Sequence, residues 1–153
     1  MRYGLFIGRF QPFHKAHLQD IKDALEEVDF LYIGIGSSQE SGTENNPYSK
    51  DKRKEMIKAA LKEEQISQYK FLEIPDFNDD QKWVEHIESK IPQLDLVFTG
   101  NDWTERCFKE RGYQVNKITL IPGITATIIR NCLKEGKECR DLLPEAVVKH
   151  IFL

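Results

Sequence analysis

His14 and His17 stand three residues apart, and Arg9 and Gly8 precede them in the same short stretch. On a helical turn, residues at this spacing share one side. Both imidazoles could then offer hydrogen bonds to one anion. Arg9 is a permanent cation suited to phosphate, and Gly8 lets backbone approach a ligand closely. The stretch Gly8-Arg9-Phe10-Gln11-Pro12-Phe13-His14-Lys15-Ala16-His17 follows the apolar run Leu5-Phe6-Ile7. It precedes Leu18, Ile21, Leu25 and Val28, which recur at helical spacing. It is therefore a strand-to-helix turn, where open α/β sheets bind ligands and helix N-termini attract phosphate. The same residues could be a surface turn with two incidental histidines, or part of a metal site. Against metal, no third ligand of suitable type is spaced nearby. Two of the four histidines, an arginine and a strand-end glycine within ten residues favour a phosphate site.

A second group lies near the other end of the chain, in Gly123-Ile124-Thr125-Ala126-Thr127-Ile128-Ile129-Arg130. Small hydroxyl residues at a helix start can cap it and bind phosphate as well. Arg130 lies one helical turn after Thr127 and can reach the same anion. The bland alternative is a capped helix with a solvated arginine. Trp83 follows a polar loop at a strand end, so its ring could stack on a flat ligand. It could equally be a core residue.

These groups need a frame to bring them together, and strand-like and helix-like segments alternate along the chain. Strands are expected over 30–35, 69–74, 94–99 and 115–121, besides the first. The run Phe30–Ile35 is apolar enough for a buried parallel strand. Residues 36–47 read as a long polar loop, of the kind that is often functional. Ser49 suits the cap of a helix whose buried stripe is Met56, Ile57, Ala60 and Leu61. Trp83, Val84 and Ile87 mark a third helix, and Cys107 and Phe108 a fourth, closed by Gly112. From Thr125 two short helices follow, split near Gly136, the second opening at Pro144. Helical crossovers between strands imply a parallel sheet covered on both faces. No linker or repeat divides the 153 residues, so one domain, 1–153, is expected.

Hydrophobic residues make up 40% and charged residues 31% of the chain, as in ordinary soluble proteins. A net charge of −3 leaves no basic surplus for nucleic acid, so an anionic ligand must be held by local cations. No apolar stretch reaches transmembrane length. Met1-Arg2-Tyr3-Gly4 runs into a strand without a signal-peptide pattern. Cys107, Cys132 and Cys139 lack metal spacing and read as reduced thiols. The expectation is a cytoplasmic protein with no membrane or nucleic-acid partner.

Gly8 to Leu18 resembles the GRFQPFHxGHL signature of archaeal-type nicotinamide-mononucleotide adenylyltransferases, within the HxGH nucleotidyltransferase superfamily. Residues 124–130 resemble the family's ISGTxIR motif, Trp83-Val84-Glu85-His86 its WVxH stretch, and Gly100-Asn101 its SGN turn. Pro47 to Arg53 resembles NPFTxxER. The likeness thus covers nearly the whole chain. It implies a single-domain, Rossmann-like, doubly wound sheet of order 3-2-1-4-5 with C-terminal helices. It implies AMP transfer from ATP to nicotinamide mononucleotide, giving NAD and pyrophosphate, with Mg²⁺ accompanying ATP. ATP would be held by Gly8, Arg9, Phe10, His14, His17, Ile124, Thr125, Thr127 and Arg130. Of these, His14, His17 and Arg130 would be catalytic. The acceptor would meet Trp83, Asp80, Asn101 and Arg53, and no protein ligand to a metal is implied. The family's usual homo-oligomers make self-association an expectation. The chain departs from the family at Ala16 and Ala126, where the motifs carry Gly, and at Thr125, where they carry Ser. It departs also at Asn45, where an Arg is usual, and at Asp80, where an Asn is usual. These departures keep two alternatives open: a related enzyme using phosphopantetheine or CTP, and a non-catalytic nucleotide-binding protein.

Overall fold

The alternation of segments becomes a doubly wound α/β sheet in the computed structural model, which describes residues 1–152. The strands are β1 (Tyr3–Gly8), β2 (Phe30–Gly36), β3 (Tyr69–Ile74), β4 (Leu96–Thr99) and β5 (Val115–Lys117). All pair in parallel, in the order β3-β2-β1-β4-β5. The helices are α1 (Lys15–Glu27), α2 (Lys50–Glu63), α3 (Asp80–Lys90), α4 (Asp102–Glu110), α5 (Ala126–Lys134) and α6 (Glu145–Phe152). A single 3₁₀ turn, Arg140–Leu142, lies between the last two.

Side chains alternate across a strand, so a sheet buried on both faces builds two cores. Phe6, Leu31, Ile33, Ile35, Leu96 and Phe98 face a core shared with Ile21 of α1, Met56 of α2, Ile129 of α5 and Val147 of α6. Leu5, Tyr32, Leu72, Ile74 and Val97 face the opposite core, with Trp83, Val84 and Ile87 of α3 and Cys107 and Phe108 of α4. Helix starts are fixed by side-chain caps. Ser49, Asp79, Asn101 and Thr125 each accept a hydrogen bond from a backbone N–H in the first turn of α2, α3, α4 and α5.

Strand boundaries differ from the sequence expectation at two places: the fourth strand begins at Leu96 rather than Leu94, and the fifth ends early. The apolar run to Ile121 predicts a strand over 115–121, but pairing ends at Lys117. β4 stops at Thr99, and Ile118 N–H donates the last cross-bond to the Thr99 carbonyl at 2.8 Å. Beyond it there is no neighbouring strand to pair with, and Leu120 and Ile121 are exposed. No helix among the described residues is long and apolar enough to cross a membrane.

Candidate active site

A cleft of about 450 Å³ opens at the carboxyl ends of β1, β2 and β4. This is where the strand order reverses, the general ligand position in such sheets. Gly8, Arg9, Phe10, His17, Trp83, Asn101 and Arg130 line it, gathered from across the sequence.

The turn after β1 is built around a buried aromatic. Phe10 is 1% exposed, and its backbone takes φ +52°. Its ring packs on Phe6, Phe13 and His17. A Cβ on Gly8 would meet that ring at 2.8 Å, so glycine is required there by Phe10. Phe10, expected to touch ATP, lines the cleft, and its ring also props the turn against Phe6 and Phe13.

His14 and His17 close the N-terminus of α1 reciprocally. His17 N–H donates to His14 Nδ1 at 3.4 Å, and His14 N–H donates to His17 Nδ1 at 3.2 Å. The rings stack at 3.6 Å. Because each Nδ1 accepts, each neutral ring carries its proton on Nε2. Burial pushes His14 down to about 4. Burial first, and His14 second, hold His17 well below the ordinary histidine value. Near neutral pH the pair is uncharged, and His17 lines the cleft with His14 stacked behind it.

Positive charge comes from arginines. Arg130 donates to the Gln11 carbonyl at 2.9 Å and to Thr127 Oγ1 at 3.3 Å, which aims its guanidinium at the turn after β1. Burial, then the charge of Arg9, lowers its affinity for its proton. Arg9 itself is exposed and reaches Asn46 Oδ1 only at 3.5 Å. Two guanidinium groups near enough to repel concentrate positive charge at the cleft in a chain of net charge −3.

The remaining expected residues fall into three places. Thr125 Oγ1 accepts from Ile128 N–H at 3.1 Å, so this hydroxyl caps α5. Ile124, in the loop before that cap, does not line the cleft, whereas Ala126 does. Thr127 lines a second hollow of about 330 Å³ that shares Arg130 with the cleft. Asn45 and Lys134 line that hollow too, so its cations are Arg130 and Lys134, the latter paired with Glu44 at 2.5 Å. Lys50 lies elsewhere, paired with Glu73, while Lys52 reaches His150.

Arg53 is a correction. It does not line the cleft but is fully buried beneath it. It donates to the carbonyls of Arg9 (2.9 Å), Gly36 (2.8 Å), Ser37 (3.2 Å), Glu40 (3.3 Å) and Ser49 (3.3 Å). Five bonds occupy all five N–H groups of a guanidinium, so Arg53 shapes the loops of the site. Its place on the stripe of Met56, Ile57, Ala60 and Leu61 is the sequence signal that points inward. Asp80 is corrected likewise. It is exposed at the start of α3 and lies outside the cleft. There its charge adds to burial in raising the Cys107 thiol. Asp76, by contrast, lines the cleft, accepting from Ser37 Oγ at 3.0 Å and from Gln39 Nε2 at 2.7 Å.

Two features escaped the sequence reading. Trp103, on the first turn of α4, lines the cleft and packs on Trp83 with ring centroids 4.6 Å apart. Leu120, exposed after β5, lines the same wall. Neither sits in a recognisable motif; proximity to Gly100-Asn101 was the only cue for Trp103.

Comparison with known proteins gives concordant results. Residues 5–131 match the family described as cytidylyltransferase-like. The chain is 40% identical to the nicotinamide-nucleotide adenylyltransferase of Pyrococcus furiosus, over 99% of this chain and 83% of that protein. It is 40% identical to the corresponding protein of Thermoplasma acidophilum, over 95% and 82%. A bifunctional NMN adenylyltransferase/ADP ribose pyrophosphatase from Francisella tularensis was crystallised with AMP and a manganese ion. It superposes with a TM-score of 0.82 at 26% identity, covering 93% of this chain and 44% of that one. The chain therefore spans less than half of that larger protein.

Proposed function

The chain belongs to the cytidylyltransferase-like family and, within it, resembles the nicotinamide-nucleotide adenylyltransferases throughout; we propose that His17, Arg9 and Arg130 carry its reaction. It is a nucleotidyltransferase that joins nicotinamide mononucleotide to the AMP of ATP, giving NAD and pyrophosphate. The 5′-phosphate of the acceptor attacks the α-phosphorus, and the bond from that phosphorus to the bridging oxygen breaks. Pyrophosphate leaves with the electron pair. A phosphate nucleophile is already ionised near neutral pH, so the site needs alignment and charge stabilisation rather than a strong base.

The observation that carries this assignment of roles is the locked tautomer of the histidine pair. Each Nδ1 is occupied by a backbone N–H, so His17 presents an Nε2–H donor without reorganisation. Such a donor, fixed in advance, stabilises charge developing on the α-phosphate oxygens. Arg9 and Arg130 neutralise the phosphates on either side. His14 holds His17 in place by stacking and capping. Asn101 and Trp83 border the acceptor's end of the cleft.

Mg²⁺ is proposed to enter with ATP. It would be carried by phosphate oxygens and water and would add charge neutralisation. We also propose self-association, to be checked by light scattering.

Pyrophosphate release with ATP and a panel of phosphorylated acceptors tests the function. Nicotinamide mononucleotide should be the acceptor used best; preference for phosphopantetheine, or for CTP over ATP, would overturn the reading. In the same assay His17→Ala should lower kcat by roughly 10²–10³-fold with a smaller change in KM. Unchanged turnover would remove His17 from the chemistry.

A further inference from the structure

We propose that Cys132 and Cys139 are a redox-active thiol pair that closes to a disulfide at the end of α5, the helix that carries Arg130. This adds a modification site to the chain and does not depend on which acceptor the cleft takes. Both thiols are free in this structure. Cys132 lies on the last turn of α5, and Cys139 stands just before the 3₁₀ turn Arg140–Leu142.

The chain reversal that ends α5 brings the two together. Gly136 takes φ +71°, a state that favours glycine, and its N–H donates to the Leu133 carbonyl at 3.2 Å. Lys137 N–H donates to the Cys132 carbonyl at 3.0 Å, and Cys132 Sγ in turn donates to the Lys137 carbonyl at 3.4 Å. Cys139 Sγ turns back to that same carbonyl at 3.8 Å. Both sulfurs thus face one point. Joining them asks for side-chain rotation and gives up only two weak S–H bonds. Cys107 is set apart, in the opposite core beside α4.

Exposure sets the order of events. Cys132 is half-buried, whereas Cys139 is 3% exposed. Burial, and then a hydrogen bond and charge from Cys132, push the Cys139 thiol up to about 12. Cys139 therefore keeps its proton, and Cys132 is the sulfur that meets an oxidant. The oxidant is a low-molecular-weight disulfide. The Cys132 thiolate attacks one of its sulfurs, the small S–S bond breaks, and one small thiol leaves with the electron pair. In the mixed disulfide Cys132 carries no charge, which removes one of the forces against ionising Cys139. Cys139 then loses its proton, attacks Cys132 Sγ and releases the second small thiol. The protein gives up two protons and two electrons, and the small disulfide becomes two thiols.

The bond would lie behind the phosphate side of the cleft. Leu133 shares a hollow with Thr127, Arg130 and Tyr48. Burial, then the charge of Cys139, raises the Tyr48 hydroxyl, so the thiol and the phenol are neighbours. Tyr48 N–H donates to Gln11 Oε1 at 2.9 Å, and the Gln11 carbonyl holds Arg130. A disulfide here ties the end of α5 down next to the wall that places Arg130.

The test is to incubate the folded protein with oxidised glutathione, digest it without reduction and map the cysteines by mass. The expected product is a Cys132–Cys139 cross-link within one chain, with no glutathione kept and Cys107 free. Dithiothreitol should restore both thiols. Cys139→Ser should stop at the first step and hold one glutathione on Cys132. In Cys132→Ser the buried Cys139 should react roughly tenfold more slowly or less readily still. Amide exchange over residues 133–139 should slow by roughly tenfold in the oxidised parent. Thiols left free in the parent, glutathione retained on it, or a bond to Cys107 or to a second chain would overturn the proposal.

Discussion

A histidine pair at this spacing invites two roles, proton carrier and neutral donor, and the cap decides between them. Protonating either ring at Nδ1 would break a bond that closes α1. Burial, which holds His14 at about 4, disfavours the charge in any case. The sign of the pH effect follows. Unfolded histidine binds its proton near pH 6.5, and folded His14 resists until about 4. Between those values the unfolded state holds more protons, so stability falls as pH falls. The loss due to His14 is at most about 3 kcal/mol. In His14→Asn the side-chain oxygen can still cap the helix, but nothing titrates there. Urea unfolding at pH 6.5 and 4 should show a smaller acid loss in the variant. Equal losses would place the acid sensitivity elsewhere.

At the scale of elements, the cleft depends on loops that the sheet alone does not hold. The turn after β1, the β2–α2 loop and the start of α2 converge on Arg53 through five carbonyl bonds. Ser37, one of those partners, sits at φ +45°, a backbone state that needs support. Arg53→Met keeps an apolar stem but leaves buried carbonyls without donors, at about 1–3 kcal/mol for each one left dry. We expect an overall loss of roughly 2–4 kcal/mol in urea unfolding, with faster amide exchange in residues 36–40. If Arg53 bound phosphate directly instead, the variant would keep its stability and lose ATP affinity.

Across the whole molecule, a second titration opposes the histidines. Asp20 on α1 faces a hollow shared with Asp23, Glu27 and Lys117, on the β4–β5 side of the sheet. Burial first, then Asp23, raises Asp20 from 3.8 to about 7. A folded value above the unfolded one means that the folded state keeps the proton longer. Stability from this group is present below about pH 4 and lost as pH rises through about 7. Asp20→Asn should therefore raise the melting temperature at pH 8 and change it little at pH 4. A variant no more stable than the parent at pH 8 would show that the carboxylate ionises without cost.

The linear sequence determined what depends on local pattern. Alternating apolar segments and helix caps such as Ser49, Asn101 and Thr125 dictate strands, helices and a sheet covered on both faces. The strand order came with the family resemblance, and so did the pairing of His14 and His17 with Arg130 across more than a hundred residues. Even Arg53 was legible in part, because it shares a stripe with Met56 and Ile57. Tertiary structure alone decided what depends on which surfaces meet. Trp103 became part of the site only when α4 came to lie beside α3 and the two indoles touched. β5 ended early because β4 offered no edge beyond Thr99. Arg53 turned inward because four carbonyls, from the turn after β1 and the β2–α2 loop, converge with that of Ser49 at its own helix cap. Periodicity reports the face on which a side chain lies, whereas its partner is set by how faces pack in space.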